Sequence, residues 1–263
     1  MVLVSLAIIG LAVQQQPSVM RLVSAGVMRH ESAGVMRNES SRVTHADTRS
    51  ITHADSHPDT RRMTRADSVD GIIRRAVSAW SKVSTLRATF EQTIINPITG
   101  STMVSKGELQ QRKPNQLAIT FSDPAGDRIV GDGKFVWVFL QSATPGQVIK
   151  LASTDVGAAS SDLIGQFLNT PRTKYDATDA GADKVGTRSA RAIVLIAKPG
   201  QVLPFVRAKV WVDATDALIR QFESTDSNGI TRKVRLTSLQ PNATVARSVF
   251  TFVVPEGVRV VDR

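Results

Sequence analysis

The stretch "RKPNQLAITFSDPAGDRIVGDGKFVWVFL" (residues 112–140) alternates turn signals with short apolar runs. Leu117, Ile119 and Phe121 alternate with Gln116, Ala118 and Thr120, the period of a half-buried strand and not of a helix. "KPN" (113–115), "DPAG" (123–126) and Asp132-Gly133 break the chain where hairpin turns would sit. "QLAITF", "DRIVGD" and "KFVWVFL" therefore read as consecutive antiparallel strands.

The same period runs outward in both directions. Upstream, Leu86, Ala88 and Phe90 alternate with polar residues in "LRATFEQTII" (86–95), and "MVSKGELQQ" (103–111) follows a turn at "NPITG". Downstream come "GQVIKL" (146–151), "RAIVLIAK" (191–198), "PFVRAKVWVD" (204–213), "ALIRQFEST" (217–225), "GITRKVRLTSL" (229–239) and "SVFTFVVP" (248–255). "TPRTKYDATDAGADKVGTRS" (170–189) reads as loop. Two segments are helical. Ile72, Ile73, Ala76, Val77, Trp80 and Val83 recur at helical spacing after a cap at Asp67 or Ser68. Leu163, Ile164, Phe167 and Leu168 share one face after Ser160, Ser161 or Asp162, predicting a second helix over 156–168. The expected fold is mainly β, with ten or eleven strands, all antiparallel, in one sheet too wide to stay flat. Two short helices cannot cover both faces, so one concave apolar face should lie under a lid formed by 68–84 and 156–168.

Composition narrows the chemistry. There is no cysteine, and the histidines (His30, His45, His53, His57) all precede Ser68. Disulfides and thiolate sites are excluded, and the strand-bearing region has no Cys or His for a nucleophile–base pair or a zinc site. No lysine follows a serine by three positions, and neither a G-x-S-x-G elbow nor a Walker loop occurs. Asp123, Asp127 and Asp132 would suit a carboxylate hydrolase, but each sits in a turn motif where Asp serves the backbone. The expectation is a protein that is not an enzyme, with no cofactor and no metal. From Ser68 onward 25 Lys+Arg face 17 Asp+Glu, scattered and with few aromatics between them. That distribution argues against nucleic acid and for a solvated surface or weak attraction to acidic partners.

The N-terminal quarter differs. Residues 2–13, "VLVSLAIIGLAV", form an apolar run of signal-peptide length, too short to span a membrane. Residues 1–13 thus predict export. "SAGVMRHE" (24–31) repeats as "SAGVMRNE" (32–39), and "THAD" recurs at 44 and 52. Residues 14–66 read as a low-complexity, disordered repeat segment, because their apolar residues are too few to stack. The folded domain spans 67–263.

"VSTLRATFEQ" (83–92), "GELQQRKPNQLAITFSDPAGDRIVGDGKFVWVF" (107–139) and "FTFVVPEGVRVVD" (250–262) together resemble the periplasmic outer-membrane lipoprotein carrier family, LolA. The resemblance implies an unclosed (half) β-barrel lidded by helices and a periplasmic monomer. It implies a chaperone that holds acyl chains and passes lipoproteins from an inner-membrane ABC transporter to an outer-membrane acceptor. By the same resemblance, Phe90, Leu117, Ile119, Phe121 and Trp137 line the concave lipid face, and Trp80, Ile164, Phe167 and Leu168 belong to the lid. Family members place Arg before the Pro-Asn, where it holds lid carbonyls; here that position is Lys113, a point charge without a rigid fork. Arg112, beside it, should face the other way. A second class of function fits the same fold: a periplasmic module that senses lipid or a partner without shuttling it, with 14–66 as a docking tail.

Overall fold

The computed structural model describes residues 68–153, 162–170 and 172–263; the apolar run 1–13 and the repeats 14–66 lie outside the described residues. Helix α1 (Val69–Ser81) starts where Ser68 Oγ accepts the Gly71 N–H at 3.1 Å, so Ser68 is its cap. Ile72, Ile73, Ala76 and Trp80 are buried along one stripe, whereas Val77, expected on that stripe, is exposed. The helix ends at Ser81, three residues short of the expected boundary, and Lys82 N–H donates back to Ala79 O.

Twelve strands follow: β1 (Thr85–Asn96), β2 (Ser101–Arg112), β3 (Gln116–Asp123), β4 (Ala125–Gly131), β5 (Phe135–Phe139), β6 (Gln147–Ala152), β7 (Tyr175–Val185), β8 (Arg188–Ala197), β9 (Arg207–Asp213), β10 (Ile219–Thr225), β11 (Thr231–Pro241) and β12 (Arg259–Asp262). They make one sheet in the order β12-β6-β5-β4-β3-β2-β1-β11-β10-β9-β8-β7, open between β12 and β7. Register aligns Leu239, Ala88, Leu109, Ile119, Ile129, Val138 and Ile149 as direct partners across seven strands. This row lies on the inner face, within one apolar core that also takes in β7 to β10 and α1. A sheet whose two halves share one core has curled on itself.

Three expectations are corrected. The loop assigned to 170–189 contains β7, an 11-residue edge strand. Its Asp, Ala and Gly content lowers β-propensity, yet those charges and the irregularity between Asp179 and Ala182 suit an edge that must not recruit another strand. The strand expected at 248–255 is a 3-10 turn (Arg247–Phe250) and extended chain, which lies against the outer face: Phe250 packs with Ala118 and Val245. The sheet is not wholly antiparallel, because β12 pairs with β6 in parallel register. A parallel partner needs a long crossover, and the β7 to β11 excursion supplies it.

The second helix is short. Among the described residues α2 is Gly165–Leu168, with Ile164 and not the expected Asp162 at its cap position; Asp162 Oδ1 accepts the Gly165 N–H at 2.7 Å from the turn before it. Glycine is required there: a Cβ on Gly165 would stand 1.9 Å from Asp162 Oδ2.

Candidate functional site

The inner face is built from alternate residues of β1 to β4. Phe90, Leu117, Ile119 and Phe121 are all buried in the central core, as their alternation predicts. Phe90 and Phe121 meet edge to face at 5.7 Å. Gly107, opposite Phe90, leaves room for that ring: a Cβ would sit 2.3 Å from Thr120 O and 3.0 Å from Phe90 Cε1.

Trp137 is on the other face. Val138 pairs with Ile129 and belongs to the core, so Trp137, one residue earlier, points outward. There it stacks on Phe252 of the C-terminal strap at 5.4 Å, and its indole N–H donates to Asp132 Oδ2. All five residues of β5 are apolar, so alternation alone cannot distinguish its two faces.

The cover over the inner face comes from α1 and residues 162–168. Trp80, Ile164 and Phe167 are almost fully buried in the core; Leu168 is half-buried against it. Phe167 lies between Phe222 at 4.9 Å and Phe205 at 5.7 Å. Three polar contacts tie the cover together. The Trp80 indole N–H donates to Asp162 Oδ2 at 3.0 Å, joining the two covering segments. Lys113 Nζ donates to the Trp80 carbonyl at 2.6 Å and lies 4.4 Å over its ring. Arg172 pairs with Asp70 at the start of α1. Lys113 thus reaches a single carbonyl of the cover, as a point charge can. Burial lowers its ammonium pKa, against a smaller upward pull from the Asp162 carboxylate. Arg112 faces the other way, donating to Val245 O and lying over the Phe250 ring.

Under this cover little space remains. A cavity of about 20 Å³ is lined by Phe90, Ile119, Phe121, Leu163, Ile164 and Phe222, among others, with Gln92 and Arg232 at one side. It holds about one water molecule. The inner face is therefore filled by its own cover, and anything larger enters only by displacing Leu163 and Ile164.

The polar side of this interior was not singled out from the sequence. Gln92 and Ser105 are direct cross-strand partners, joined by a 3.1 Å hydrogen bond, and Arg232 lies opposite Ser224. All four are buried, on the strands β2, β1, β11 and β10, which are neighbours in the sheet. Burial pushes the Arg232 guanidinium down to about 10, partly offset by the Asp226 carboxylate, so it stays charged at neutral pH. The legible signal was parity: Gln92 shares the face of Phe90, and Arg232 that of Val234 and Leu236. Asp162 was legible as a helix-start residue but not as the partner of Trp80, 82 residues away.

The chain is similar to known proteins. The chain is 26% identical over 200 residues to the outer-membrane lipoprotein carrier protein of Methylobacillus flagellatus, spanning 75% of this chain and 90% of that protein. It is 25% identical over 187 residues to that of Chromobacterium violaceum, 68% and 81% of the respective chains. A LolA superfamily protein from Nitrosomonas europaea aligns over 70% of this chain and 97% of its own, with a TM-score of 0.35 and 10% identity. The model of the family described as outer membrane lipoprotein carrier protein LolA matches residues 81–253, and the chain belongs to that family.

Proposed function

We infer that the protein is a periplasmic carrier that holds the acyl chains of lipoproteins against its inner face and moves them from the inner to the outer membrane. It would take cargo from an inner-membrane ABC transporter and yield it to an outer-membrane acceptor. The observation that supports this reading is the cover: a broad apolar face occupied by Trp80, Ile164 and Phe167, fastened by few polar contacts. Acyl chains would replace those side chains in kind. Each buried CH₂ contributes about 0.8 kcal/mol, and each buried Ile or Phe of the lid about 1.5–3 kcal/mol, so a few methylenes offset one lid residue. Such near-equality allows both loading and release. In this reading Phe90, Leu117, Ile119 and Phe121 are the acyl-contacting residues and Lys113 is the latch of the empty form.

Native mass spectrometry of the protein taken from the periplasm of a diderm host without detergent tests this. An adduct that dissociates as acyl-bearing lipid or lipopeptide is expected. A clean apo mass together with failure to bind a fluorescent acyl probe would overturn the reading.

The latch makes a prediction of opposite sign to a simple binding residue. Lys113→Ala removes a charge-assisted hydrogen bond and a cation–π contact from the closed form only. Together these stabilise it by about 1–2 kcal/mol. Because the closed form competes with the loaded one, the acyl probe should bind about tenfold more tightly. Weaker binding in fluorescence titration would show that Lys113 is not a latch.

A further inference from the structure

An amide buried without a hydrogen bond costs the full desolvation of its donor and acceptor, so its presence in an apolar interior needs a reason. Gln111, next to last in β2, is 2% exposed, and neither its Nε2 nor its Oε1 has a hydrogen-bond partner in the protein. Its direct cross-strand partners are Leu86 on β1 and Leu117 on β3, both in the central core, so its side chain shares the inner face with theirs. The register continues through Gly131, Val136 and Leu151, which makes Gln111 the one polar side chain from Leu86 to Leu151 in that row. Gln92, on the same face, donates to Ser105 at 3.1 Å; Gln111 makes no such bond. Two residues beyond it stands Lys113, whose ammonium holds the Trp80 carbonyl. The unbonded amide therefore lies at the end of the inner face that α1 closes with Trp80. Closing the cover strands it.

We propose that Gln111 is a polar subsite of the inner face that takes the neutral carbonyl linkage of an acyl ligand, an ester or an amide, once Trp80 is displaced. Its Nε2 donates to the acyl carbonyl, and its Oε1 accepts an N–H or O–H of the head group beside that linkage. The proposal rests on the acyl-carrier reading above and adds the chemical class of linkage that the carrier recognises. A carboxamide offers donors and an acceptor without charge, so it matches a neutral linkage, whereas a plain hydrocarbon satisfies neither of its atoms. Because the amide is unbonded in the closed form and bonded in the loaded one, it favours loading by such a ligand over closure. The acyl chain then runs from Gln111 past Leu117 toward Ile119 and Phe121, its linkage at the Trp80 end.

Competition against a fluorescent acyl probe tests it, with two neutral displacers matched atom for atom: N-decanoylethanolamine and ethylene glycol monodecyl ether, each below micelle formation. In the second, CH₂–O replaces C(=O)–NH. The ether reports apolar packing and the shared hydroxyl, and the amide reports the same plus the carbonyl bond. In Gln111→Leu the ratio of amide to ether affinity should therefore fall about tenfold relative to the unaltered protein. The urea midpoint of Gln111→Leu should rise, because an unbonded buried amide gives way to an apolar side chain of similar size. A lower midpoint would show that the carboxamide is already bonded in the closed form and would overturn the proposal. If the fluorescent probe binds but the ratio is unchanged, or neither displacer competes, the subsite is refuted while the carrier reading stands. If the unaltered protein does not bind the fluorescent probe, the acyl reading fails and the subsite fails with it.

Discussion

Replacing Phe167 with glutamate is expected to abolish retention of an acyl probe while leaving the sheet folded. Phe167 is 1% exposed and lies between the rings of Phe205 and Phe222. Losing its burial removes about 3 kcal/mol, and a carboxylate in that position adds a desolvation penalty of several kcal/mol. The segment therefore leaves the interior, and in the loaded form it can no longer pack on acyl chains. The strands keep their register, because α2 contributes no ladder bonds and joins the sheet by side chains alone. The expected results are at least a hundredfold weaker probe binding, a circular dichroism spectrum still dominated by β-structure, and increased binding of an apolar dye in the absence of ligand. Unchanged probe affinity would mean that the segment is fixed core and not a lid.

The second large effect concerns stability. Asp213, at the end of β9, has a side chain only 1% exposed and pairs with Arg188 and Arg220, the latter itself buried. It also accepts the N–H groups of Thr215 and Asp216 in the following turn. Burial alone would raise its carboxyl pKa. The hydrogen bonds from Arg188, Thr215 and Asp216 and the charge of Arg220 outweigh that and hold it well below the usual carboxylate range. Asp213→Asn keeps the shape and leaves Arg220 buried beside an uncharged amide, with Asp216 as its remaining acidic partner. The expected loss is about 3 kcal/mol at pH 7, seen as a lower urea midpoint at unchanged slope. A lowered folded-state pKa means that the stabilisation is fully present above the unfolded value near 4 and is lost as pH falls below it. The gap between the two proteins should accordingly narrow on acidification below about pH 4 and stay constant from pH 5 to 8. A gap that failed to narrow below about pH 4 would show that the lost stability is not electrostatic.

These two residues differ in how far the sequence announced them. Phe167 stood out because it recurs with Leu163, Ile164 and Leu168 on one apolar stripe, and only its aromatic neighbours had to be learned from the fold. Asp213 read as the end of a strand before "ATD", and nothing local indicated that Arg188, 25 residues earlier, would reach it. Strand β7 escaped notice because edge strands are selected against the very apolar alternation by which strands are recognised.

The sequence by itself determined the period-two strands around "RKPNQLAITF", the turns between them, the absence of Cys and His from the folded region, and the inward set of Phe90, Leu117, Ile119 and Phe121. All of these are properties of neighbouring residues, since alternation and turn chemistry act over two to four positions. Only the tertiary structure decided that Trp137 faces outward, that β12 pairs in parallel with β6, and that the polar pairs Ser105–Gln92 and Arg232–Ser224 fall in successive rows of the inner face. A continuous apolar run such as β5 carries no parity of its own. The nearness of these two pairs depends on β1 pairing with β11, a contact nearly 150 residues apart in the chain that local pattern does not encode.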